Sequence, residues 1–125
     1  MAGIDAQTDM IMISHIAADR ITTDKLPSSL SYEMLEGKLR KELDYNGLII
    51  TDSMSMKAIT NQYSSGRAAV MAISAGVDIV LMPENFIEAF DSLYEAINDG
   101  TLSEARVDQS VLRILSLKER YGLFK

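Results

Sequence analysis

The sequence predicts an α/β protein in which parallel strands alternate with helices. Three observations carry that class. Three short apolar runs, at residues 9–14 (DMIMIS), 48–50 (LII) and 77–82 (VDIVLM), read as strands buried on both faces. The stretches between them carry apolar residues at helical spacing. Turn and cap signals fall at the junctions, and a helix between two strands returns the chain to start a parallel neighbour.

The first run is expected to form a strand ending near His15 and Ile16. Residues 17–30 hold Asp19, Arg20, Thr22, Thr23, Asp24 and Pro27 without a period, which reads as a long polar loop, and loops of that length are often functional. Ser28, Ser29 and Ser31 offer N-caps for a helix over roughly 31–43, whose Leu35, Leu39 and Leu43 repeat at four. Asn46 and Gly47 form a stop and turn. The second strand then runs into Thr51 and Asp52, and a short helix follows over 54–60. Residues 62–66 are polar and break the pattern. An alanine-rich helix over 67–75 suits close packing on a sheet, with Gly76 as its C-cap. The third strand, 77–82, is closed by Pro83. Asn85 caps a helix with the stripe Phe86, Phe90, Leu93 and Ile97. Asp99 and Gly100 end it. Thr101 and Glu104 stand at capping-box spacing before a last helix over 102–121, with Val107, Val111, Ile114 and Leu115 on one face and Gly122 as its stop.

The chain has 125 residues, enough for one ordinary domain, but three strands do not close a barrel and leave two bare edges if the sheet is open. The pattern reads as part of a larger architecture. A net charge of −6 argues against sequence-independent binding to nucleic acid, which needs clustered Lys and Arg. No run approaches the ~20 apolar residues of a membrane span, and the first residues lack the basic start and apolar centre of a signal peptide. Without Cys there is neither a disulfide framework nor a thiolate metal site, and the scattered acidic residues have no Ca²⁺ or Zn²⁺ spacing. No metal and no cofactor are expected. The composition fits either side of a membrane. Eight Met residues read as core filler.

Asp52 is the residue to which function is assigned. A carboxylate at the exit of a buried parallel strand stands where such folds present their chemistry. By position alone the commoner reading is a helix cap or loop carboxylate. Asp78 precedes its strand's apolar stretch, at the wrong end for catalysis, and reads as structural. Asp19 and Arg20 read as solvated loop residues.

The strings DMIMISHI, PSSLS, LRKELDYNGLIITDSMSM, AAVMAISAGVDIVLMP and INDGTLSEARVDQSVLRILSLKERYGL together resemble glycoside hydrolase family 3, in the family's order and over nearly the whole chain. The resemblance is closer to the β-N-acetylhexosaminidase branch, because Ser53 rather than Trp follows the key Asp and because His15 is present. It implies that residues 1–125 are the C-terminal portion of the family's N-terminal, TIM-barrel-like catalytic domain, contributing its last three βα units. It implies Asp52 as the nucleophile of a retaining mechanism and His15 as a substrate-binding residue lining the sugar pocket. Met54 and Met56 match apolar positions that pack beside the nucleophile. The implied substrate is a terminal β-linked N-acetylglucosamine of peptidoglycan- or chitin-derived sugars.

One departure matters. The branch's general acid/base is a His paired with an Asp in a Gly-rich loop of the earlier half of the barrel, and nothing here matches it. His15 is the only His and sits in a different setting. The 125 residues alone are therefore expected to be hydrolytically inactive, and their uncovered edges and helix faces to drive self-association. Two other readings stand beside this one. A receiver-like phosphoacceptor domain would also place an Asp at a strand end, but the first strand offers no acidic pair for Mg²⁺ and VLMPEN offers no Lys. A non-catalytic α/β association module is the third.

Overall fold

The computed structural model describes residues 2–124. A short helix, α1 (Ala2–Asp5), which the sequence patterns did not suggest, leads into strand β1 (Met10–Ile13). β1 pairs in parallel with β2 (Leu48–Thr51) in the register Met10–Leu48, Ile11–Ile49, Met12–Ile50 and Ile13–Thr51. Residues 77–82 run along the other side of β2 and pair in parallel through Ile50 and Ile79. The Asp78 and Ile79 N–H groups donate to the Ile49 carbonyl at 2.8 and 3.1 Å, and Thr51 N–H donates to the Ile79 carbonyl at 3.1 Å.

The expected third strand is therefore a single bridge, not a full strand. Thr51 Oγ1 accepts the Leu81 N–H at 2.9 Å, so a side chain takes the place of a ladder carbonyl. Met82 then adopts φ 46° ahead of Pro83, which ends extended pairing.

Residues 17–27 form a loop whose ends close on each other through an antiparallel bridge between Ala17 and Pro27. A 3-10 turn, Ser28–Leu30, follows, and then a π-helix, Glu33–Glu42, where the leucine stripe suggested an ordinary helix. A repeat of four keeps leucines on one face about as well with i→i+5 bonding as with i→i+4, so the stripe could not separate the two. Ser31 caps it as expected, its Oγ accepting Met34 N–H at 3.1 Å. Helix α2 (Lys57–Thr60) starts later than the pattern suggested, because Met56 ahead of it is extended, at φ −68° and ψ 143°, and Met54 N–H donates to the Leu81 carbonyl at 2.9 Å. Helix α3 (Ser65–Ala75) starts earlier, capped by Ser64 Oγ on Arg67 N–H and closed by Gly76 at φ 123°. Helix α4 (Phe86–Asn98) is capped by Asn85. Helix α5 (Glu104–Arg120) is capped by Ser103 rather than through the Thr101–Glu104 box, since the Thr101 N–H is held by Asp99 Oδ1.

The core lies on one side of the sheet. Leu35, Ile49, Ile59, Ala68 and Ala72 are buried together, with Ile11, Ile13 and Val80 packed against them. Complete burial of a side chain such as Leu35 or Ile49 contributes about 1.5–3 kcal/mol. A smaller cluster of Ile73, Ala96 and Leu102 joins α3 to α4 and α5. The other side of the sheet is covered at its N-terminal end, where Leu48 is buried, and is open toward the C-terminal ends of the strands. Met12, its partner Ile50 and Ile50's partner Ile79 share one face, and none of them is buried. β1 is thus not the doubly buried strand its apolar run suggested, and Met12 is 56% exposed. Of the methionines, Met54 is buried, but Met10, Met12, Met56 and Met82 lie at the surface, so the reading of Met as core filler holds only in part. On α4 the face that packs is Ala89, Leu93, Ala96 and Ile97, whereas Phe86 and Phe90 point outward and stack on each other at 6.4 Å. On α5, Val107 and Ile114 are half-buried while Val111 and Leu115 are exposed.

Candidate functional site at the exit of β2

Asp52 leaves the C-terminal end of β2, where the extended backbone turns toward α2. Its N–H donates to the Ile13 carbonyl at 2.9 Å, and its Oδ1 accepts the Ser53 N–H at 2.7 Å. Its other oxygen, Oδ2, accepts no hydrogen bond among the described residues. Strand alternation puts Asp52 on the face of Ile50, the uncovered side of the sheet, and its side chain is half-buried. One carboxylate oxygen is thus fixed and the other is open.

His15 comes to the same rim from the end of β1. It is buried, and both ring nitrogens are used within the chain: Nδ1 lies 2.7 Å from Ser29 Oγ and Nε2 lies 2.9 Å from the Ser53 carbonyl. A carbonyl only accepts, so Nε2 donates, and in the neutral imidazole Nδ1 accepts from the Ser29 hydroxyl. Ser29 is brought there by the closed loop, because Ser28 N–H and Ser28 Oγ both donate to the Ile16 carbonyl, at 2.9 and 2.6 Å. Asp52 and His15, both placed at strand ends by the sequence, lie at one rim, but no sequence pattern hinted that Ser29 and the Ser53 carbonyl would occupy the imidazole. Met54 is buried beside Asp52, while Met56 is 45% exposed. Asp19 and Arg20 are exposed in the loop.

The opposite rim holds a second polar group. Asp78 is buried, and its carboxylate accepts from Arg40 Nη2 (2.7 Å), Ile49 N–H (2.9 Å), Ser110 Oγ (2.7 Å) and Arg113 Nη1 (3.0 Å). Arg106 stands 3.8 Å away and donates to the Val77 carbonyl at 2.8 Å. Burial pushes the Arg40 and Arg106 guanidinium groups below their usual range, and the Asp78 charge opposes that shift. This cluster ties the π-helix, β2 and α5 to residues 77–78, so the structural reading of Asp78 agrees with where it lies. Its arginines were missed, although the spacing of Arg106, Ser110 and Arg113 puts them on one face of a helix.

A cleft of about 660 Å³ lies at this end of the strands, lined in part by Asp9, Asn46, Arg113 and Arg120. Asp9 is held there by Arg120 and the Tyr121 hydroxyl. Among the described residues no group of three or more His, Cys, Asp or Glu could hold a metal ion, and no helix is long and apolar enough to cross a membrane.

Comparison with known proteins decides the lineage. The model of the glycosyl hydrolase family 3 N-terminal domain matches residues 1–117. The chain belongs to glycoside hydrolase family 3. It is similar to a β-N-acetylglucosaminidase/β-glucosidase of Cellulomonas fimi, with 33% identity over 99% of this chain and 24% of that protein. It is also similar to β-hexosaminidase A of Pseudoalteromonas piscicida, with 28% identity over 89% of this chain and 22% of that one. Among solved structures, a family 3 β-N-acetylglucosaminidase from Paenibacillus superposes with a TM-score of 0.88 at 40% identity, over 91% of this chain and 22% of that chain. The chain thus spans about a quarter of the length of these relatives, and its parallel α/β arrangement matches that of the Paenibacillus structure.

Proposed function

We propose that this chain is the nucleophile-bearing part of a retaining β-N-acetylhexosaminidase that removes terminal β-linked N-acetylglucosamine from peptidoglycan- or chitin-derived sugars. The observation that carries the reading is Asp52: a carboxylate at a parallel-strand exit, held through Oδ1 and open at Oδ2, on the uncovered face of the sheet. The names of the relatives support the sugar class. The one-sided sheet supports a partial barrel, with β1, β2 and residues 77–82 as its last three strands and the bare face as its interior.

In this reading Asp52 Oδ2 attacks the anomeric carbon from the side opposite the leaving group. The glycosidic bond breaks, and the departing oxygen takes a proton from an acid. Water, deprotonated by the same group, then displaces Asp52, so that two inversions give net retention. That acid is not among these residues. His15 is the only imidazole in the chain, and freeing either nitrogen breaks a buried hydrogen bond. The chain alone is therefore expected to be hydrolytically inactive, aryl N-acetylglucosaminides included. Contact of His15 with the sugar falls to its ring face or carbon edge, since both nitrogens are engaged.

The test is kinetic. This chain is placed in the Paenibacillus β-N-acetylglucosaminidase in exchange for the corresponding segment, and turnover of an aryl N-acetyl-β-glucosaminide is measured. Asp52→Ala is expected to lower kcat by a factor of about 10⁴ or more, with azide restoring part of the rate as an α-glycosyl azide. Undiminished turnover by Asp52→Ala contradicts the assignment.

A further inference from the structure

We infer that His15 is a positioning residue for Asp52, and that it acts through the Ser53 carbonyl. The inference rests on Asp52 being the nucleophile, and it adds the means by which that carboxylate is held.

Three successive residues at the β2 exit are anchored by three separate bonds. Asp52 N–H donates to the Ile13 carbonyl at 2.9 Å, the Ser53 carbonyl accepts from His15 Nε2 at 2.9 Å, and Met54 N–H donates to the Leu81 carbonyl at 2.9 Å. The first and second anchors both come from the end of β1, two residues apart. The third comes from the segment on the other flank of β2. The first anchor holds the 51–52 peptide, and the second and third hold the two ends of the 53–54 peptide. The 52–53 peptide lies between these two fixed planes, and its N–H is the donor that meets Asp52 Oδ1 at 2.7 Å. If the Ser53 carbonyl is released, the 53–54 peptide keeps only its Met54 N–H anchor and can tilt about it. That tilt turns Ser53 and carries its N–H away from Oδ1, so the carboxylate loses the bond that sets its plane.

The imidazole is itself oriented. The Ser53 carbonyl can only accept, which places a proton on Nε2, and the fully buried Ser29 hydroxyl, 2.7 Å from Nδ1, then donates to that nitrogen of the neutral ring and fixes its tilt. A second tautomer would point a bare nitrogen at that carbonyl oxygen. The loop over 17–27 thus has a role in the site. Its closed ends, through Ala17–Pro27 and Ser28–Ile16, deliver Ser29 to His15. The relay runs from loop to His15 to the Ser53 peptide to Asp52, and a 1 Å misplacement of a reacting group of this kind costs about 10²-fold in rate.

The discriminating variants are His15→Gln and His15→Asn. A glutamine amide reaches about as far as Nε2 and still donates to the Ser53 carbonyl. An asparagine amide reaches only the Nδ1 position, keeps Ser29 and leaves Ser53 unbonded. In this chain, amide hydrogen exchange at Asp52, Ser53 and Met54 should accelerate about tenfold or more in His15→Asn, stay near the parent in His15→Gln, and be unchanged at Ile49 and Ile50 in both. Ser29→Ala, which leaves the imidazole in place, should raise exchange at the same three amides by a smaller factor. In the Paenibacillus hybrid, His15→Asn should lower kcat with KM held within about twofold, and His15→Gln should recover most of kcat. Equal exchange at Asp52, Ser53 and Met54 in the Asn and Gln variants overturns the positioning role, whether or not the hybrid turns over. A raised KM at constant kcat also overturns it and assigns His15 to direct sugar binding. Failure of the nucleophile assignment reads out separately, as activity surviving Asp52→Ala while the exchange ordering among the His15 variants persists.

Discussion

Asp52 and Asp78 are both carboxylates on the central segments of the sheet, and their surroundings divide them. Asp52 is half-buried with a single bond to its side chain, whereas Asp78 is buried among three arginines, a serine and a backbone N–H. On the proposed reading the first reacts, and the bonds of the second hold four segments together. Removing Asp78 leaves the buried Arg40 and the half-buried Arg106 with only the weaker Glu36 charge to oppose them, which costs about 3–5 kcal/mol. Asp78→Ala should therefore lower the urea midpoint steeply or prevent folding, and a loss below about 1 kcal/mol would remove the cluster from the account of stability. A gentler test concerns Glu33, whose carboxylate accepts from Thr23 N–H and Thr23 Oγ1. Those bonds hold the Glu33 carboxyl below the usual glutamate range. The folded acid is the stronger one, so its contribution is present above the ordinary range and is lost as pH falls through the lowered folded value. Exchange of the Thr23 amide, corrected for its intrinsic pH dependence, should rise as the solution is acidified across that window and should be insensitive to pH above it in Glu33→Gln.

The elements show where periodicity informs and where it stops. β1, β2, α3, α4 and α5 were legible because each is a short apolar run or a stripe bounded by Asn, Ser or Gly. The third strand was not, because the feature that interrupts it is the Thr51 hydroxyl on a different strand, thirty residues away from Leu81. The outward face of α4 was not legible either. Phe86 and Phe90 carry the greater hydrophobicity, but α3 approaches on the side of Ala89 and Ala96, where small residues permit close contact. Gly66 is part of that approach: a Cβ there would stand 2.8 Å from Ser92 Cβ and 3.2 Å from the Glu88 carbonyl. Alanine is favoured over glycine in a helix by about 0.8–1.0 kcal/mol, but this contact requires α3 and α4 to part. Gly66→Ala should therefore destabilise by about 1–3 kcal/mol, measured by thermal or urea unfolding, and a stabilised variant would show that the two helices separate at little cost. The site divides in the same way. Asp52 and His15 could be located from the strands they terminate, but the Ser29–His15–Ser53 chain depends on a loop closure that no local pattern announces.

The molecule as a whole leaves apolar side chains at least partly in water on separate faces: Met12, Ile50 and Ile79 on the open face of the sheet, Phe86, Phe90 and Tyr94 on the outer face of α4, and Val111, Leu112 and Leu115 on α5. Exposed apolar area of this extent favours association. The chain should therefore elute above its monomer mass of 13.8 kDa at tens of micromolar, by chromatography with light scattering. A sharp monomer peak would mean that these surfaces tolerate water. On the proposed reading, the open face of the sheet is where a sugar would meet Asp52, with further barrel units enclosing it. The most direct measurement of that claim is covalent trapping. The Paenibacillus hybrid carrying this chain is incubated with a fluorinated N-acetylglucosaminide bearing an activated leaving group, digested and mapped by mass spectrometry. One glycosyl adduct on Asp52, absent in Asp52→Ala, is the predicted result, and an adduct on any other carboxylate would contradict it.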